Sequence, residues 1–294
     1  MLIAVVNHDP DLPNEHLLHV LRAVSRQVFH DFTPIWNLSA TLRLAGSRGT
    51  GGPPVERYEY GLSQAAPQLD PVAGGAVIFV QKWGAGLPDR YRDLPYCYGF
   101  HDMEPGDHFP VGYVFTTAEG DRNRPAEFHW SVTLSHEVLE LIANPHVNLL
   151  VPAPHPGQHV RESVYFEREV CDPVRQSCYP VDNVLVSNFV LPPYFICPPS
   201  IALPPDGSHR AGHRERLDFL DNPGSELRPF GLLNGGYLRF REHRKPAPQM
   251  YWRDAGGAYH APTAPPRVPG HHALPTDRKA RRRRLGAVRS ATPK

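Results

Sequence analysis

The chain has 294 residues, enough for one large domain or two small ones with a real core. Hydrophobic residues are 40% and charged residues 21%, and no stretch approaches the roughly 20 apolar residues of a membrane span, so the composition excludes a helical membrane protein. The net charge of +1 hides an uneven spread: from Ala264 onward nine Lys/Arg stand against one Asp, which puts a +8 tail on a −7 body.

Residues 2–7 (Leu-Ile-Ala-Val-Val-Asn) form a continuous apolar run, as in a strand covered on both faces. The run is short, has no basic lead-in and passes straight into Asn-His-Asp-Pro. It reads as a first strand rather than a signal peptide, with a cytoplasmic location expected. Pro13-Asn14-Glu15 opens a helix carrying Leu17, Leu18, Val20, Leu21, Val24 and Val28 at near-helical spacing, predicted to end near His30-Asp31 ahead of Thr33-Pro34. Ile35-Trp36 and residues 39–44 are predicted as the second strand. Residues 46–54 are a glycine-rich surface loop, without the Gly-Lys-Ser/Thr of a phosphate-binding loop. Strands follow at residues 75–81 and 110–116, the second expected at the sheet edge. A polar loop (117–125) then leads to a helix over residues 130–143, stopped at Asn144-Pro145.

Beyond it, residues 152–157 read as a proline-rich loop and 163–170 as a half-buried strand. Residues 179–190 are apolar and β-branched, and 197–206 are proline-rich. Residues 217–220, 229–233 and 235–240 suggest a small β layer ending near Trp252. With 34 Pro and 24 Gly, many loops are expected, and no internal repeat is visible. The four cysteines show no Cys-x-x-Cys pattern and are expected as reduced thiols. The expected fold class is α/β (α+β), a mixed sheet with helices packed on it, followed by an irregular β-rich C-terminal portion and a disordered basic tail. Its segments are 1–150, 151–260 and 261–294.

The helix over 130–143 carries His136, Glu137 and Glu140 among Val132, Leu134, Val138, Leu139, Leu141 and Ile142. Apolar side chains wrap most of its circumference, so it is expected to be mostly buried, and buried carboxylates need a partner. His136 and Glu140 stand four apart and project from one face. This is the His-Glu-x-x-His arrangement of zinc peptidases with the second histidine replaced by glutamate. In that arrangement the i and i+4 residues ligate the metal, and Glu137 takes a proton from the water the metal activates. A catalytic zinc takes three protein ligands. The third is expected from Glu169 or Asp172, three residues apart in Glu-Val-Cys-Asp-Pro; Asp172 is the more constrained position, whereas Glu169 reaches further. One imidazole with two carboxylates is a hard, anionic donor set that acidifies a bound water less than neutral imidazoles do; zinc stays the first choice by analogy with the zinc peptidases, with manganese, iron and calcium left open. His101, His129 and Tyr113 are candidate oxyanion donors.

Five stretches carry a resemblance: residues 25–36 (Ser-Arg-Gln-Val-Phe-His-Asp-Phe-Thr-Pro-Ile-Trp), 98–102 (Tyr-Gly-Phe-His-Asp), 130–140 (Trp-Ser-Val-Thr-Leu-Ser-His-Glu-Val-Leu-Glu), 169–173 (Glu-Val-Cys-Asp-Pro) and 186–189 (Val-Ser-Asn-Phe). Together, over roughly residues 1–255, the chain resembles a widespread bacterial family of uncharacterised proteins regarded as zincin-like metalloproteins. The resemblance implies a zincin-like sheet whose edge strand borders a substrate cleft. It also implies a metal site at His136 and Glu140 completed by Glu169 or Asp172, and names no substrate. The chain departs from it at Asn144-Pro145, where the family commonly has Asp-Pro.

The expected function is a metal-dependent hydrolase, a zinc metallopeptidase with a peptide or protein substrate. The alternative is a non-catalytic metal-binding protein on the same scaffold. The basic tail, with Arg278-Lys-Ala-Arg-Arg-Arg-Arg284, offers electrostatic contact with nucleic acid or another anionic partner. No aromatic residue follows Tyr259, so base stacking is not expected.

Overall fold

Strand β1 (Leu2–Asn7) is the centre of the first sheet in a computed structural model, which describes residues 1–45, 75–84, 87–88, 91, 97–103, 109–116, 126–155, 163–196, 216–221, 227–242 and 248–260. Helix α1 (Asn14–Arg26) buries Leu17, Val20, Leu21 and Val24, the apolar stripe of its sequence, and runs into a π-helical turn, Gln27–Phe32. A short helix α2 (Thr33–Trp36) follows and ends at Asn37, whose φ of 52° is a left-handed helix stop. Ile35-Trp36 therefore continues the helical segment instead of opening a strand. Trp36 stacks on Phe32 at 5.8 Å, and its indole N–H donates to Val190 O at 3.1 Å. This tertiary packing outweighs the β preference of the pair.

Strands β2 (Thr41–Ala45), β3 (Gly75–Gln81), β4 (Gly99–Met103) and β5 (Pro110–Phe115) complete the sheet in the order β2-β1-β3-β5-β4. The first four are parallel, and β4 is antiparallel to β5. The edge position expected of residues 110–116 thus belongs to β4. Its Gly-Phe-His-Asp-Met sequence gives no strand signal: His101 faces buried carboxylates, and Asp102 on the other face accepts from the Tyr91 hydroxyl at 2.9 Å.

Helix α3 (Trp130–Ala143) lies across this sheet. Gly112 admits the close approach: a Cβ there would stand 3.1 Å from Ile78 Cγ1 and 3.5 Å from Leu141 Cδ1. A second, antiparallel sheet has the order β12-β11-β10-β7-β6, from β6 (Leu150–Pro154), β7 (Ser163–Glu167), β10 (Tyr237–Arg241), β11 (Gln249–Arg253) and β12 (Tyr259–His260). The proline-rich residues 152–154, expected as loop, are the end of β6; proline is tolerated there because β6 is an edge strand. Between β7 and β10 the chain forms the hairpin β8 (Cys178–Val181) and β9 (Val184–Ser187). The architecture is mixed α and β with several sheets and few helices, an α+β protein. No helix among the described residues is long and apolar enough to cross a membrane.

One apolar cluster joins Ile3 and Ile78 of the first sheet, Val138 and Leu141 of α3, and Phe166 and Phe240 of the second. A smaller one, with Val6, Phe79, Tyr113 and Phe115, covers the opposite face of the first sheet. Cys97, Cys171 and Cys178 are thiols. The glycine-rich loop 46–54, the polar loop 117–125, the proline-rich residues 197–206 and the basic tail 261–294 lie outside the described residues.

Candidate metal centre

Every residue of α3 after Trp130 is buried, so each polar side chain on it must find a partner inside the protein. The helix is capped by His129, whose ring nitrogen accepts from Ser131 N–H at 3.3 Å. Ser131 Oγ donates to Leu185 O at 2.9 Å. Ser135 Oγ donates to Gln27 Oε1 at 2.7 Å and accepts from Ser187 N–H at 2.9 Å, while Gln27 Nε2 donates to Ser187 O at 2.7 Å. These bonds tie α3 to the π-helical turn and to β9, and so fix the rotation of the helix about its axis.

That rotation aims His136, Glu137 and Glu140 at one buried cluster. His136 Nε2 is 3.1 Å from Glu140 Oε2 and 3.2 Å from Asp172 Oδ1. Glu140 Oε1 accepts from the backbone N–H groups of Cys171 and Asp172 at 3.2 and 3.3 Å, which leaves Oε2 turned toward the imidazole. Asp172 begins a 3-10 turn after β7, and the hydroxyl of Tyr237 on β10 donates to its Oδ1. Of the two downstream acids, Asp172 thus lies beside His136. Glu169 lies elsewhere in the cluster: Asn144 Nδ2 donates to its Oε1 at 3.0 Å, and its Oε2 is 3.6 Å from His101 Nε2.

His101, a candidate oxyanion donor by sequence together with His129 and Tyr113, stands among the acids. Its Nδ1 is 3.1 Å from Glu137 Oε2 and 3.7 Å from Glu140 Oε2. The available signal was the alternation of Gly99 and His101 on one strand face. A Cβ at Gly99 would meet Thr133 Cγ2 at 2.5 Å and Glu137 Oε1 at 3.2 Å, so glycine lets β4 close onto α3. Tyr113, by contrast, sits in the second apolar cluster, 5.0 Å from the ring of Phe100. Cys171 and Tyr237 also reach the cluster, and neither carried a sequence signal.

The electrostatics follow from four carboxylates and two imidazoles with almost no exposure to water. Burial alone would lower the His101 pKa, but Glu169, Glu137 and Glu140 outweigh it and push it up to about 10. At His136 burial is likewise outweighed, by Glu140 and Asp172, and its pKa rises well above the ordinary value. Burial raises Glu140, with Asp172 adding to the effect and His136 opposing it. Glu169 is pushed well up by burial, against the pull of His101. Burial also raises the Cys171 thiol.

A small cavity of about 20 Å³ reaches this cluster, room for roughly one water molecule. It is lined by Thr133, His136 and Glu137, by Tyr98 and Phe128, stacked at 4.7 Å, and by Arg175, which lies over Phe128 at 5.1 Å.

A divalent cation fits the donors present. His101 Nε2, Glu140 Oε2 and Glu169 Oε2 are buried without a partner in hydrogen-bonding geometry among the described residues. Two groups bring ligand atoms within 4.8 Å of one another: His136, Glu140 and Cys171, and His101, Glu137 and Glu140. Imidazole and carboxylate donors suit zinc, manganese or iron, and a thiol within reach disfavours calcium. No family model matches the chain, and no curated protein or solved structure is significantly similar to it.

Proposed function

We propose that the protein is a metal-dependent hydrolase of zincin-like type that cleaves a peptide bond. The observation that carries this reading is His136 Nε2 flanked by Glu140 Oε2 and Asp172 Oδ1, with Glu137 on the same helix facing the cavity. His136, Glu140 and Asp172 would hold the cation, zinc being the first choice, with Tyr237 fixing the Asp172 carboxylate. When bound, the cation supplies Lewis-acid polarisation of the scissile carbonyl and of the attacking water. Glu137 takes the proton from that water and returns it to the leaving amine. His101, 3.1 Å from Glu137, orients the carboxylate for both transfers. Arg175 offers a cation on the cavity wall to a substrate carbonyl or carboxylate. Strand β4, an antiparallel edge strand beside the helix, suits an extended peptide that adds to the sheet. The same combination of edge strand and motif helix supports kinship with the zincin-like family whose motifs the chain resembles.

The test pairs metal analysis with an assay. Purified protein should carry about one or more equivalents of a transition metal. On a peptide library the Glu137→Gln variant should lose about 10²-fold or more in turnover, the low end of what a positioned general base contributes. Equal cleavage by both proteins would reject the mechanism, and protein free of metal at neutral pH would reject the site. The second reading is a cation held for structure alone. The near-complete burial of the cluster, with space for about one water, favours it. In that case Glu137→Gln changes thermal stability and no hydrolysis is found in either protein.

A further inference from the structure

The first site leaves part of the cluster unexplained. With the imidazoles neutral, as ligands must be, Glu137, Glu140, Glu169 and Asp172 contribute four negative charges in a region of almost no exposure. One divalent cation cancels half of that charge. Arg239 and Arg241 both pair with Glu167, at 3.1 and 2.9 Å, so together they cancel that carboxylate and offset part of the remaining charge. The negative charge still left on the cluster is expensive to keep buried. Meanwhile the His101 side chain is 4% exposed, its Nε2 has no hydrogen-bond partner among the described residues, and its Nδ1 faces Glu137 and Glu140 at 3.1 and 3.7 Å.

We infer that His101, Glu137 and Glu140 form a second divalent-cation site that shares Glu140 with the first, making the centre a two-cation site when fully loaded. The inference rests on the metal-site reading above. Glu140 Oε1 is taken by two backbone N–H groups, so Oε2, 3.1 Å from one imidazole and 3.7 Å from the other, is the atom placed to bridge. Glu169, held by Asn144 and 3.6 Å from His101, balances the added charge. Shared-carboxylate pairs of this kind hold their ions about 3.5–4 Å apart. A cation in the second site engages Glu137, the carboxylate that the proposed hydrolysis uses as its base. Occupancy of the two sites is therefore distinguishable in function as well as in number: peptide cleavage rises with the first equivalent and falls with the second.

The experiment is a titration of metal-stripped, full-length protein with Zn²⁺ by calorimetry, repeated with Mn²⁺ and followed by electron paramagnetic resonance. Wild type is expected to take up two equivalents, and its Mn²⁺ form to give an exchange-coupled spectrum. His101→Ala is expected to take up one equivalent with the spectrum of isolated Mn²⁺, its folding checked by circular dichroism. One equivalent in wild type, or two uncoupled Mn²⁺ ions, overturns the shared second site and leaves the proposed function standing. Two equivalents in His101→Ala also overturn it. No uptake at all overturns both readings. Where His101→Ala does not fold, the wild-type stoichiometry and spectrum decide the matter on their own.

Discussion

Asn144 closes helix α3 and, from that position, does two things a carboxylate could not do together. Its Oδ1 accepts from the backbone N–H groups of Asn148 and Leu149 at 3.1 and 3.0 Å, and its Nδ2 donates to Glu169 Oε1 at 3.0 Å. An aspartate here would keep the acceptor but lose the donor to Glu169. The asparagine amide thus matches the polarity of its acidic neighbour. Asn144→Asp should destabilise the metal-free protein by about 1–3 kcal/mol, the cost of a buried polar group left without its partner. Denaturant unfolding of the two proteins measures it, and an unchanged midpoint would mean that Glu169 has another donor.

At the scale of elements, the π-helical turn Gln27–Phe32 shows how a local irregularity positions a distant site. The turn presents Gln27 to the interior, where its amide meets Ser135 on α3 and Ser187 on β9. Ser135 immediately precedes His136, so the turn sets the helix rotation on which the cluster depends. Gln27→Leu keeps much of the volume and removes the polar contacts to Ser135, Ser187 and the Tyr179 hydroxyl. It should cost about 1–3 kcal/mol for each buried group it strands. In a double-mutant cycle with Ser135→Ala, a coupling of at least about 0.5 kcal/mol is expected, because the two residues share one hydrogen bond. Additive losses would show that the network does not act as a unit. Strand β4 makes the complementary point. Its residues look like loop, yet β5 holds it at the sheet edge, and from there Gly99 and His101 reach α3.

For the whole molecule, the buried cluster makes stability depend on pH. His101, with its pKa at about 10, and His136 keep protons in the folded state that the unfolded chain releases near the ordinary value of 6.5. Glu140 and Glu169 likewise hold protons above the ordinary carboxyl value of 4.5. All four shifts have one sign. Between about pH 4.5 and about pH 10 the folded protein binds more protons than the unfolded chain, so stability falls as pH rises. Metal-free protein should accordingly have a lower melting temperature at pH 9 than at pH 5.5. A cation bound at the cluster would replace those protons and is expected to flatten the slope. Melting curves with and without chelator test this, and a metal-free protein whose stability rises across the range would contradict the cluster.

Much of this arrangement could be read locally. The apolar runs of β1, β3 and β5, the stripe of α1 and the proline stop of α3 follow from periodicity and backbone chemistry within a few residues. The burial of His136, Glu137 and Glu140 followed from the apolar wrap of their helix. The mixed order of the first sheet, the edge place of β4 and the helical turn at Ile35-Trp36 did not, because each is decided by contacts with residues far along the chain. The choice between Glu169 and Asp172 was closed to sequence for the same reason. Three residues apart on a turning backbone, the two acids face different imidazoles, and only the packing of β7, β10 and α3 determines which. Residue chemistry by itself determined that carboxylates and imidazole would be buried together; tertiary structure decided which atoms meet, because a few ångströms of backbone placement separate a hydrogen bond from a ligand set.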